Sequence, residues 1–162
     1  AVGGCLYGTE TMHILRAEKG FIIAGQDTDG SVTPHDLNMG WCVADSKPFS
    51  YIGKRGMARE DCVREQRKQL VGLKTRDPLV VLPEGAQAVA NPQQPVPMDL
   101  LGHVSSSYWS ANLNRSIAMG FIKGGLQRMG ETVFYPLADG RVVEAEICSP
   151  VFIDPKGERQ HV

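Results

Sequence analysis

The sequence predicts an α+β fold, with a mixed helix-and-strand region over residues 1–64 and a β-rich domain over residues 65–162. Three observations predict it. A helical pattern from Thr9 to Glu18 leads directly into a short apolar run. From Gln69 onward, short β-type runs alternate with Gly, Pro and Asn clusters. Asp139-Gly140, between two of those runs, is a hairpin signal because the pair accepts the positive φ angles of a type I′ turn. Many short strands with regular turns imply a small barrel or a sandwich.

The elements follow in order. Thr9 is placed to N-cap the first helix, Met12 and Leu15 share one face, and Lys19-Gly20 supplies a cationic last turn and a glycine stop. Phe21 to Ala24, bounded by Gly20 and Gly25, predicts a buried strand too short for a helix. Asp27 to Gly30 predicts a turn, Gly40 to Val43 a further strand, and Lys47-Pro48 the start of a loop. Met57 to Lys68 predicts a helix, with Glu60 and Arg64 at the favourable i,i+4 spacing. The β-type runs are Leu70–Leu73, Leu79–Leu82, Ala86–Ala90, Leu100–Ser105, Ile117–Ile122, Thr132–Tyr135 and Val142–Ile147. The change of grammar places a boundary near Glu65–Gln69.

With 162 residues and 42% hydrophobic content, the chain can form one ordinary domain or two small ones packed together. A net charge of −1 offers no electrostatic footprint for nucleic acid. One or two well-placed arginines still suffice for a small anion. No apolar run approaches the roughly 18–20 residues that span a bilayer, and the start, Ala1-Val2-Gly3-Gly4, does not read as a secretory signal. The start also lacks Met, which implies processing or a piece of a longer polypeptide. Cys5, Cys42, Cys62 and Cys148 are widely spaced with no C-x-x-C, so they read as reduced, mostly buried thiols of a cytoplasmic protein.

Several constellations fail on their chemistry. Asp27-Thr28-Asp29-Gly30-Ser31 superficially fits a calcium loop, but it lacks the third ligand before the glycine, and its last position is Asn38 where a bidentate Glu is required. It reads as a polar turn. His13, His35, His103 and His161 show no metal-binding spacing. Ser105-Ser106-Ser107 lacks the G-x-S-x-G context of a nucleophile elbow and reads as a serine-rich strand end. Asn114-Arg115-Ser116 matches a glycosylation acceptor, which matters only in a secreted protein. No Gly-rich phosphate cradle is present. The residues alone thus expose no catalytic set and no metal site.

Particular stretches nevertheless resemble the aminomethyltransferase family of folate-binding proteins. Tyr7 to Phe21 resembles the helix and strand late in that family's folate-binding half. Thr33-Pro34 through Gly40-Trp41 is similar to its T-P-x-x-x-G-L-x-W stretch, Tyr51-Ile52-Gly53-Lys54 to its F-I-G-K motif, and Gln69 to Leu73 to the entry of its C-terminal barrel. Within the family, the order of Leu15 to Gly20, Gln26 to Gly30, Pro95 to Met98, Gly102 to Ser110 and Arg128 to Thr132 resembles the branch of sarcosine oxidase alpha subunits.

The resemblance implies the end of a folate-binding α+β region followed by a Greek-key β-barrel. It implies that tetrahydrofolate captures a one-carbon unit from oxidised sarcosine as 5,10-methylenetetrahydrofolate, with FAD, FMN and NAD held elsewhere in the parent complex. Partners would be the other subunits or a missing N-terminal half that carries the family's acidic residues. Phe21 corresponds to the aromatic that packs on folate, although an ordinary core Phe is the competing reading. Met12 stands where the T-protein has a folate-contacting Arg. Arg16, one turn on, either compensates for that Arg or forms a salt bridge. Tyr108 either lines the pocket or packs a strand end. With that N-terminal half missing, the resemblance implies that the isolated chain binds folate weakly or not at all and is inactive. The rival to this enzymatic reading is a non-catalytic module that docks on a partner or self-associates.

Overall fold

A computed structural model describes residues 3–44 and 46–160; Ala1, Val2 and His161 lie outside the described residues. The second part of the chain is a closed six-stranded barrel. Its strands are β1 (Lys68–Thr75), β2 (Gln87–Val89), β3 (Leu100–Ser110), β4 (Arg115–Lys123), β5 (Thr132–Pro136) and β6 (Val142–Cys148). Around the barrel the order is β1-β4-β3-β2-β5-β6, every neighbouring pair being antiparallel and β6 closing on β1. Consecutive strands β2, β3 and β4 lie side by side while β1 sits beyond β4, which is a Greek-key arrangement.

Alternation explains the core. Val71 and Leu73 of β1, Ala118 and Ile122 of β4, Val133 and Tyr135 of β5, and Val143, Ala145 and Ile147 of β6 point into one buried cluster. Leu70, Met119 and Phe121 face outward, yet they too are buried, against Ile22, Val32, Leu37 and Phe152. One outer face of the barrel is therefore covered by the first part of the chain and by the segment after β6.

That first part holds α1 (Thr9–Glu18), a 3-10 turn (Gly40–Cys42), α2 (Lys54–Met57) and α3 (Glu60–Val63). Helix α1 spans the predicted residues, but Gly8 is its N-cap and no side chain caps it, so Thr9 does not take that role. It stops at Gly20, whose φ is 73°. The C-terminal segment returns to cap it: the amides of Phe152 and Ile153 donate to the Glu18 carbonyl, and Lys19 pairs with Asp154.

Several expected elements differ. Phe21 to Ala24 is not a strand, having only an isolated bridge from Ala24 to Thr28. A lone apolar run has no ladder to join once the barrel closes without it. The strand expected over Gly40 to Val43 folds as the 3-10 turn Gly40–Cys42, and the helix expected over Met57 to Lys68 is reduced to the single turn α3, with α2 ending at Met57 and Lys68 already in β1. Arg64 pairs with Asp61, not Glu60. Leu79–Leu82 is loop, because β1 and β2 already have partners on both edges; Leu82 still packs into the core at 1% exposure. The hairpin at Asp139-Gly140 forms, but only Gly140 has positive φ, 84°, and its amide bonds back to Leu137. A three-residue loop ending in a left-handed glycine replaces the type I′ turn. The cysteines are free, but Cys5 and Cys42 are exposed and Cys62 and Cys148 only partly buried. Burial lifts the Cys148 thiol to about 11.

Candidate functional site

An amphipathic helix normally buries its apolar face and exposes its charges. Helix α1 does the reverse. Arg16, Ala17 and Glu18 are buried against the barrel, while Met12 and Leu15 are 44% and 45% exposed. Phe21 and Tyr7, 61% and 69% exposed, join them to line a shallow groove of about 430 Å3 with Lys19 and Gln160. Exposed apolar side chains gathered on one face mark a binding or docking surface.

Charged residues beneath the groove hold this inverted helix. Arg16 Nη1 donates to Asp27 Oδ2 at 2.5 Å and to the Phe21 carbonyl at 3.1 Å. Its Nη2 donates to the Ser106 hydroxyl at 2.6 Å and lies 3.4 Å from the Tyr108 hydroxyl. The guanidinium carbon sits 5.8 Å from the Tyr108 ring centroid, within cation–π range. Nε is buried without a partner. On the neighbouring strand end, the Glu18 carboxylate accepts from the Ser110 hydroxyl and from Asn112 at 2.8 Å. Ion pairs this deeply buried need such extra hydrogen bonds to offset desolvation.

The structure thus brings Met12, Arg16 and Phe21 to one groove. Tyr108 lies behind it, joined through Arg16 and through Gln26 Nε2 at 3.3 Å. The Phe21 ring is solvent-facing, not core. Arg16 has its forked donors engaged by Asp27 and Ser106, which is the salt-bridge alternative for that residue. Sequence reasoning missed Asp27 and Ser106 as members of the site. No local signal marked them, because which face of α1 meets the barrel, and with it the burial of Arg16, is set by tertiary packing.

A second, smaller cleft of about 210 Å3 lies on the other side of the Asp27 turn, between Asp29, Lys68, His103 and Phe121. His103 stacks on Phe121 with centroids 5.9 Å apart. Burial, reinforced by Lys68, holds its imidazole below the ordinary histidine value. Nearby, burial alone would raise the Asp36 carboxyl. Hydrogen bonds from Arg67 and Thr33 outweigh it and hold the group below the usual carboxylate range. Among the described residues no cluster of three or more His, Cys, Asp or Glu is placed to hold a metal ion.

The barrel, its Greek-key order and the groove-bearing helix can be compared with known proteins. Residues 68–154 match the glycine cleavage T-protein C-terminal barrel domain, and residues 1–47 match the GCVT N-terminal domain. The chain belongs to the glycine cleavage T-protein family. Within the T-protein family it is similar to the sarcosine oxidase subunit alpha of Corynebacterium sp. (strain U-96), 47% identical over 95% of this chain and 16% of that protein. It is also similar to the sarcosine oxidase subunit alpha of Rhizobium meliloti (strain 1021), 34% identical over 96% of the chain and 16% of the relative. The chain therefore spans about one sixth of the length of these relatives. A solved member of the T-protein family, aminomethyltransferase T of the glycine cleavage system from Bartonella henselae, superposes with a TM-score of 0.71 at 23% identity. The match covers 87% of this chain and 37% of that one, and it shows the shared fold. Among the described residues no helix is long and apolar enough to cross a membrane.

Proposed function

We propose that this chain is the C-terminal part of a folate module of the sarcosine oxidase alpha-subunit kind, acting in the cytoplasm. In this reading residues 1–64 close the folate-binding region, and residues 65–162 form the barrel that supports it. The parent enzyme oxidises the N-methyl group of sarcosine, and the module directs the resulting one-carbon unit to tetrahydrofolate as 5,10-methylenetetrahydrofolate. FAD, FMN and NAD belong elsewhere in the parent complex, with the other subunits as partners.

The observation that carries this reading is the outward-facing apolar groove of Tyr7, Met12, Leu15 and Phe21 on a helix whose charges are buried. The residues suit a flat, uncharged ring system: Phe21 and Tyr7 offer aromatic faces and Met12 an adaptable thioether. They suit folate's anionic tail less well, since Arg16 is engaged below the groove and Lys19 is paired with Asp154. When bound, tetrahydrofolate supplies the nucleophilic amines that take up the one-carbon unit. The chain's own residues hold one face of the ring, so that proximity replaces a bimolecular encounter.

The test is isothermal titration of the chain with folinate. Saturable binding that Phe21→Ala weakens by roughly tenfold, the scale of one lost aromatic contact, supports the folate reading. Absence of binding at millimolar folinate would mean that the pocket lies essentially in the missing half, and counts against this groove holding the ring. A docking or self-associating module is the second reading, favoured by further exposed apolar side chains at Trp41 (82%) and Ile52 (103%). Sedimentation that shows a concentration-dependent dimer, lost in Phe21→Ala, supports that reading.

A further inference from the structure

Successive side chains of a regular strand point to opposite faces, so neighbouring residues cannot both address one atom from the same side. Strand β3 breaks this rule. Its register against β4 shifts between Val104 and Ser106, leaving Ser105 as the extra, bulged residue. As a result the hydroxyls of Ser105 and Ser106 both donate to Oδ1 of Asp27, each at 2.6 Å. The other oxygen, Oδ2, accepts from Arg16 and, at 2.9 Å, from the Ile23 amide. Asp27 is 3% exposed and all four of these donors converge on it.

We infer that Asp27, seated on the β3 bulge, is a positioning residue that sets where Phe21 stands in the groove. The connection is short and directional. Asp27 orients Arg16, whose Nη1 holds the Phe21 carbonyl, and Asp27 itself holds the amide of Ile23, so the chain on either side of Ile22 is pinned to one carboxylate. Residues 21–24 have no strand ladder to order them; besides the Asp27 contacts they are held by the Ala24–Thr28 bridge, the α1 stop, the Gln26 and Asp27 amides on the Ile23 carbonyl, and Ile22 packed on the barrel wall. Through two serines the barrel thereby adds a directional, charge-assisted hold on both sides of Ile22. A ring held in one place binds a flat ligand with less loss of conformational freedom than a mobile one. The inference rests on the folate reading only for the identity of that ligand.

The experiment compares the parent chain with Asp27→Asn and with the double variant Ser105→Ala/Ser106→Ala, which keeps the Arg16–Asp27 pair should the first variant fail to fold. Amide hydrogen exchange of residues 21–24 is read first, without ligand, and folinate titration second. Exchange there should quicken by roughly tenfold or more, the scale expected when a charge-assisted hydrogen bond is lost, while β1 and β4 keep their protection. Folinate affinity should fall together with it. Unchanged exchange at 21–24 overturns the inference. So does exchange that quickens equally throughout the barrel, because that marks general destabilisation. If the parent chain binds no folinate, the folate reading fails alone, and the exchange comparison still decides the role of Asp27.

Discussion

At the scale of single residues, Arg16 shows how far burial changes a charge. Its side chain is 8% exposed and that of Asp27 is fully covered. Removing one member of a buried pair strands the other, at a cost of about 3–5 kcal/mol. Arg16→Ala should lose that much in urea unfolding; Arg128→Ala, at a partly exposed pair with Glu131, should lose less than about 1 kcal/mol. Equal losses would mean that the Arg16 pair contributes no more than a surface contact. His103 yields a pH prediction. Burial first, then the Lys68 ammonium, disfavour its charged form, and Asp29 opposes them with less weight. The folded imidazole is therefore harder to protonate than the unfolded one. Its contribution is intact above the unfolded value of about 6.5 and declines as pH falls through it. An NMR titration should place His103 below 6.5, and Lys68→Ala should move it upward. A value at or above 6.5 in the parent chain contradicts this account.

At the scale of elements, the barrel strands were legible because period-2 alternation and turn residues are local signals. Six of seven expected runs became strands, and Leu79–Leu82 did not because a closed barrel leaves no free edge. The first part of the chain was less legible. Phe21 to Ala24 and Gly40 to Val43 have strand-like composition, but a ladder needs a partner and none is supplied. Helix α1 was placed correctly, yet Met12 and Leu15 point away from the barrel, because Arg16 and Glu18 find buried partners on β3 and just beyond it. Close approach governs β3 and β4. A Cβ added at Gly102 would run into the Phe121 carbonyl oxygen and come within 3.0 Å of Ile122 Cα, both on the backbone of β4. Backbone cannot swing aside as a flexible side chain can, so Gly102→Ala should cost about 3 kcal/mol, measured by urea unfolding. Gly130→Ala, with nothing within 4 Å, meets no such clash and should cost less despite its φ of 85°.

At the scale of the whole molecule, the barrel has a closed ladder and a continuous core, whereas residues 41–63 expose Trp41, Phe49, Ile52 and Val63. Regions with few buried contacts open at lower free energy than core strands. Hydrogen exchange should therefore run fastest in residues 46–63 and slowest in β1 and β4, whose residues are buried on both faces. Uniform protection along the chain would contradict this. The two regions are joined by Arg67 with Asp36, by the Leu70 amide on the Asp36 carbonyl, by the Arg16 and Glu18 networks, and by Ile22, Val32 and Leu37 packed on Leu70, Met119 and Phe121. Residues 65–69, the boundary proposed from sequence, run through the first of these links.

What the sequence determined by itself was whatever depends on near neighbours: the helix at Thr9–Glu18, its stop at Gly20, the barrel strands and the hairpin at Gly140. Its motif order also carried the family. What only the tertiary structure decided was which faces meet. Nothing near Asp27 in sequence says that two serines nearly eighty residues away will share its carboxylate, because that depends on a register shift between β3 and β4. The exposure of Phe21 and the burial of Arg16 follow from the same contact: the barrel wall offers hydrogen-bonding partners where an apolar helix face was expected to lie.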